Sequence, residues 1–201
     1  MLKQVIEIME LLDNSNISGE IVKTFLSGRG LDDIVVEEVW GEKSKTDFIK
    51  INVKGRNGKS VGGKAQTLGI IGRLGGIGAR PEMIGFVSDG DGAAAALSCA
   101  LKLGDMKQKG DILDGDVIIA THICPNAPIE PHQPVAFMGS PVDMQVMNKM
   151  EVVPYMDAII SIDTTKGNRI LNFKGFAITP TIKDGYILKV SDSLLRNRLL
   201  L

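Results

Sequence analysis

Two cysteines, Cys99 and Cys124, are all that 201 residues carry, too few for a disulfide framework and not in a paired metal-ligand spacing. The chain therefore reads as a reduced, intracellular protein. Aromatic residues make up only 4%, and 23 basic against 24 acidic residues leave a net charge of −1. Few faces are offered for base stacking, and no global field draws the chain towards nucleic acid or an anionic membrane. No apolar run approaches the length of a membrane span, and Glu7 and Glu10 interrupt the apolar N-terminal pattern, which argues against a signal peptide. A cytoplasmic protein with neither nucleic-acid nor membrane partners is expected. Internal repeats are absent as well, which excludes a solenoid.

What is present is a globular composition, 44% hydrophobic and 23% charged, with 23 glycines. Leu2, Val5, Ile6, Met9 and Leu12 recur at helical spacing, and Ser18 is placed to cap a second helix that runs to Leu26 and stops at Gly28 or Gly30. Ile34 to Trp40 and Phe48 to Val53 read as strands, and Asn57-Gly58 supplies the residues of a tight hairpin turn. Beyond Ala65, the runs TLGIIG, MIGFVS, GDVIIATHI and MDAIISIDT have the texture of strands buried on both faces. Gly92 to Lys109 is alanine-rich and helical, Val142 to Met150 is a further helix with a methionine-heavy face, and Arg169 to Val190 reads as more strands. Strands alternating with helices predict one α/β domain over residues 1–201, with a mixed, largely buried sheet and helices on both faces.

Several motifs could carry chemistry. GRNGKS at Gly55 to Ser60 resembles a phosphate loop, but the spacing of that loop would require glycine where Val53 stands, and a type I′ turn explains Asn57-Gly58 without a nucleotide. The glycine-dense run GIIGRLGGIG at Gly69 to Gly78 permits either close packing or an anion site completed by Arg73 and Arg80. Asp89 and Asp91 stand where a strand hands over to the alanine-rich helix, the end at which α/β sheets bind ligands. They could hold a hard cation, serve as an acid–base pair or cap the helix. His122 ends the next strand, and Asp163 the one after it, followed by Lys166. If they converge, Asp89 or Asp91, His122 and Asp163 form a mixed nitrogen and oxygen set suited to zinc or another divalent metal. Cys124, two residues beyond His122, has the spacing of a nucleophile only if the strand persists.

The segments LGIIGRLGGIGARPE, VSDGDGAAAAL, GDVIIATHICPNAP, FMGSPVDM and DTTKGNRILNFKGFAITPTIKDGYIL together resemble a prokaryotic family catalogued as domain of unknown function 1177. Members of that family are longer, so the resemblance implies that the end at Leu194 to Leu201 is a truncation or a frame change. The order of elements is also similar to that of co-catalytic zinc aminopeptidases, which implies a three-layer, phosphorylase/hydrolase-like fold. By that likeness Asp89 or Asp91 takes the place of a bridging aspartate and Asp163 that of a later metal-binding one. Arg73-Leu74-Gly75 replaces a His-x-Asp pair, and Thr121-His122 stands near paired glutamates.

Two readings follow for a small-molecule ligand. The first is a metal-dependent hydrolase acting on a small amide or carboxylate-bearing substrate. In it Asp89, Asp91, His122 and Asp163 hold a divalent metal such as zinc, Arg73 clamps a substrate carboxylate, and Lys166 offsets developing negative charge. The second is a non-catalytic binder of a small anionic metabolite through Arg73. A homo-oligomer is the expected assembly in either case.

Overall fold

The structure is a computed structural model that describes residues 1–42, 44–73, 90–124, 127–131, 133, 137–163, 181–183 and 186–188. The chain divides into two compact units, Met1–Thr164 and Thr165–Leu201. In the first, helices α1 (Leu2–Leu12) and α2 (Gly19–Ser27) lead into strands β1 (Ile34–Trp40) and β2 (Lys45–Val53), then β3 (Leu68–Gly72), helix α3 (Asp91–Gln108) and β4 (Val117–Ile123). The two-residue strands β5 (Ile129–Glu130) and β6 (Phe137–Met138), helix α4 (Met144–Glu151) and strand β7 (Ala158–Ile162) complete it. Among the described residues of the second unit, β8 (Thr181–Lys183) and β9 (Tyr186–Leu188) pair antiparallel.

The five-stranded sheet has the order β1-β2-β4-β3-β7. β1 and β4 run antiparallel to β2, whereas β3 runs parallel to both β4 and β7. The α/β class and mixed sheet expected from the alternating texture are therefore present. Local chemistry explains the helix ends. Ser18 accepts the Ile21 N–H at 3.3 Å and Asp143 accepts the Val146 N–H at 2.8 Å, each satisfying a donor that the first turn leaves unpaired.

The alanines of α3 let the helix lie close to the strands, so Ala96, Leu97 and Ala100 join Ile8, Leu12 and Leu26 over one face of the sheet. That face is built from the odd-numbered residues Ile49, Ile51, Val117, Ile119 and Ile123. Side chains alternate along a strand, so the even-numbered Phe48 and His122 point to the opposite face. There Phe48 packs with Val142 and Met147 around α4.

Two expectations are corrected. Asn57-Gly58 does not close a hairpin: Gly58 has φ −69°, outside the left-handed region of a type I′ turn, and precedes a short 3-10 helix at Lys59–Val61. The loop instead wraps the buried Asp116 carboxylate, which accepts the Gly55 N–H at 2.9 Å, the Ser60 N–H at 2.8 Å and the Ser60 hydroxyl at 2.8 Å. Donors that resemble a phosphate cradle in sequence are filled by the protein's own anion. The second correction concerns MDAIISIDT: among the described residues β7 is the last strand in the sheet order, and it is mostly exposed, with Ile160 52% accessible, in place of the burial expected on both faces. The strand expected in MIGFVS lies outside the described residues.

Candidate functional site

Glycine brings the first functional side chain into place. A Cβ on Gly72 would lie 2.1 Å from the Gly92 carbonyl oxygen, and one on Gly92 would lie 1.9 Å from that of Arg73. Only two bare glycines let the end of β3 meet the start of α3 so closely. For Gly69 and Gly72 the glycine-dense run thus serves close packing, since a Cβ on Gly69 would also strike the Met156 sulfur at 2.6 Å. The Arg73 N–H donates to the Ile162 carbonyl at 2.7 Å, which holds Arg73 in line with the strand that it ends.

Register then sets its neighbours. Gly72 pairs with Thr121 and with Ile162, and Phe48 pairs with His122. One step past the ladder, Arg73 lies between His122 and Asp163, so Phe48, His122 and Arg73 form a row on the α4 face. The carboxyl ends of three parallel strands meet there, as α/β ligand sites require. The Thr121 hydroxyl, buried, donates to the Gly72 carbonyl at 2.9 Å and ties β4 to β3 directly below the row.

Helix α4 closes over this row with Met144, Asn148 and Glu151, which share one face at i, i+4 and i+7. Arg73 Nε donates to Glu151 Oε2 at 2.6 Å, one terminal nitrogen to Asn148 Oδ1 at 2.7 Å, and the other to the Met144 sulfur at 2.7 Å. The second Glu151 oxygen, Oε1, stands 2.7 Å from His122 Nδ1. Glu151 and His122 are each 1% exposed and Arg73 is 9% exposed, so the charges are nearly withdrawn from water. Opposite charges so buried persist only when their hydrogen bonds are filled, and here Glu151 is filled from both sides. The Phe48 ring, 5.2 Å from that of His122 between centroids, covers the imidazole. Among the described residues, His122 Nε2 is buried with no hydrogen-bond partner, the only side-chain nitrogen in that condition.

The residues singled out from sequence fall as follows. Arg73 and His122 are brought together, although through Glu151. Asp91 opens α3 and Asp163 follows β7, and both side chains are exposed at the same edge of the sheet. Asp89 and Lys166 lie outside the described residues, as do Arg80 and His132. Among the described residues, no three His, Cys, Asp or Glu side chains are grouped closely enough to hold a metal ion. Cys124 does not meet His122: its sulfur lies 3.2 Å from the Thr46 hydroxyl, and burial pushes the thiol up to about 11. It is not an activated nucleophile.

Glu151, Asn148 and Met144 are not among the residues that sequence motifs single out. One signal was available, a glutamate in the last turn of a helix, where the dipole disfavours negative charge unless a cation answers it. Nothing local names Arg73 as that cation, 78 residues earlier in the chain.

A family model described as "Protein of unknown function (DUF1177)" matches residues 37–198. No curated protein matches the chain. Among solved structures, the bottromycin maturation enzyme BotP aligns with a TM-score of 0.38 at 17% identity, covering 60% of this chain and 29% of that one. The same enzyme in complex with Mn aligns with a TM-score of 0.38 at 16% identity, covering 60% and 30% respectively. This chain thus spans less than a third of the length of either structure. Among the described residues, no helix is long and apolar enough to cross a membrane.

Proposed function

The chain belongs to the DUF1177 family of unknown function, and from that starting point we propose that it is a metal-dependent hydrolase acting on a small amide or carboxylate-bearing substrate. The observation that carries this reading is the buried, unpartnered Nε2 of His122 at the carboxyl end of a parallel strand. A buried ring nitrogen without a partner is costly unless something binds it. A bare imidazole nitrogen whose sister nitrogen faces a carboxylate suits a divalent cation. His122 would supply the nitrogen donor, and Asp91 and Asp163, which stand at the same end of the sheet but are not grouped with it closely enough for a metal in this structure, would be drawn in as oxygen donors on binding. Asp89 would complete the set, and Lys166 would offset negative charge on the substrate. A bound divalent cation supplies a water of lowered pKa, a nucleophile at neutral pH. Zinc is the leading candidate for a mixed nitrogen and oxygen set.

The binder reading has less support, because it needs the Arg73 guanidinium for a ligand. Glu151, Asn148 and Met144 already receive its donors. The test is elemental mass spectrometry of protein purified without chelator. A stoichiometric zinc, manganese or iron that is lost in His122→Ala and in Asp163→Ala is expected. Absence of stoichiometric metal in protein that has never met a chelator would sink the metalloenzyme reading.

A further inference from the structure

We infer that Glu151, anchored by Arg73, is a positioning residue that fixes the tautomer of His122, keeping the proton on Nδ1 and leaving Nε2 a bare lone pair. Three groups linked in series, with Glu151 hydrogen-bonded to Arg73 on one side and within hydrogen-bond distance of His122 on the other, carry the assignment. Arg73 is donor-only, and its Nε reaches Glu151 Oε2 at 2.6 Å. A carboxylate facing a guanidinium accepts with both oxygens, so Oε1, 2.7 Å from His122 Nδ1, needs a proton from the ring. A neutral imidazole carries one N–H, and committing it to Glu151 leaves Nε2 without one. The bare nitrogen is the one without a partner among the described residues.

This assignment gives Arg73 a role other than that of a substrate clamp. Its guanidinium sets which Glu151 oxygen is taken, while Asn148 and Met144, on the same face of α4, hold the fork in its plane. The chain of influence runs from the end of β3 through α4 to the end of β4. Glu151 touches no reacting atom; it acts through His122. The inference deepens the metal reading, because a metal ion or a substrate proton needs that lone pair, but its geometry stands without a metal.

Glu151→Gln makes the test sharp. Arg73 can only donate, so the glutamine carbonyl oxygen must turn to Arg73 and its NH₂ to His122 Nδ1. Nδ1 must then accept, and the proton moves to Nε2. The readout is the ¹⁵N spectrum of histidine-labelled, metal-free full chain at a pH where the ring is neutral. His122 and His132 are the only histidines, and His132→Gln identifies their signals. In the unsubstituted protein the bare-nitrogen resonance should belong to Nε2, and in Glu151→Gln it should pass to Nδ1. A wild-type ring protonated on Nε2 overturns the inference even if Glu151→Gln fails to fold, and so does a tautomer that ignores the substitution. Zinc titration of the same samples separates the two readings. An affinity about 10–100-fold lower in Glu151→Gln is expected where His122 binds metal. A tautomer switch in protein that binds no zinc upholds the positioning role and removes the metal reading alone.

Discussion

Replacing Gly92 by alanine inverts the usual effect of that change in a helix. Alanine is favoured over glycine in helices by up to about 1 kcal/mol, and less in the first turn where Gly92 stands. Against this gain, the new Cβ would stand 1.9 Å from the Arg73 carbonyl oxygen and 2.4 Å from its carbon and nitrogen. Short C···O contacts in proteins are roughly 3.3 Å, so the helix start and the strand end must part by about 1.4 Å. Every atom met is backbone, and no side chain can turn aside. Parting them also loosens the Gly72 contact with Ala96 and displaces Arg73 from Glu151. Overpacking of this kind costs about 1–3 kcal/mol, occasionally more, so a net loss of about 2 kcal/mol is expected. Gly104→Ala provides the graded comparison on the same helix. Its Cβ would meet the Arg29 carbonyl oxygen at 2.8 Å and Leu31 Cγ at 3.1 Å, so by the same criterion the backbones must part by only about 0.5 Å, and a loss clearly smaller than that of Gly92→Ala, about 1 kcal/mol or less, is expected. Urea unfolding monitored by circular dichroism measures both, with the slope unchanged if only stability moves. Equal or greater stability of Gly92→Ala would refute the idea that a glycine-only contact sets Arg73.

Three further outcomes follow from particular contacts. Asp116→Asn should cost about 2 kcal/mol, because one amide oxygen cannot serve Gly55 N–H, Ser60 N–H and the Ser60 hydroxyl together, and its NH₂ faces a donor. Burial would raise the pKa of Asp116, but donors from Ser60 and Gly55 outweigh it and hold the group below the ordinary carboxylate value. Its contribution is therefore complete above the unfolded-state value and lost as pH falls through the folded one. The acid limb of a stability–pH curve should flatten in Asp116→Asn; an unchanged limb contradicts the assignment. Cys124, with its thiol pushed up to about 11 and buried, should react with a disulfide reagent at pH 8 only as fast as the protein opens, and fast labelling in native buffer would show otherwise. Thr121→Val removes the hydroxyl that donates to the Gly72 carbonyl and should cost about 1 kcal/mol in thermal or urea unfolding, against no loss if that bond is idle.

Local chemistry that acts within one element is legible in the residues themselves. Ser18 as a cap, the α1 stripe, the alanine-rich α3, the strands ending at Thr121-His122 and before Asp163, and the α/β class all follow from periodicities and caps that do not depend on the rest of the chain. Asn57-Gly58 misleads, because the same residues serve a hairpin turn or a loop around a buried carboxylate, and Asp116 is 56 residues away from Ser60 in the chain. The exposure of β7 is equally hidden, since an apolar run does not reveal whether its strand is central or last in the sheet.

Arg73 and His122 stand out as chemical groups because each ends an apolar run, and runs of that kind end at the ligand-binding edge of an α/β sheet. Their partnership does not. It depends on the parallel register that sets Arg73 beside His122, and on a helix face that carries Glu151 back over both. Sequence determined which residues could do chemistry and on which kind of element each sits, because propensity and periodicity are local. Tertiary structure decided which of them meet, that Glu151 joins them, and which imidazole nitrogen is left without a partner. Those outcomes rest on contacts between segments far apart in the chain, for which no local preference exists.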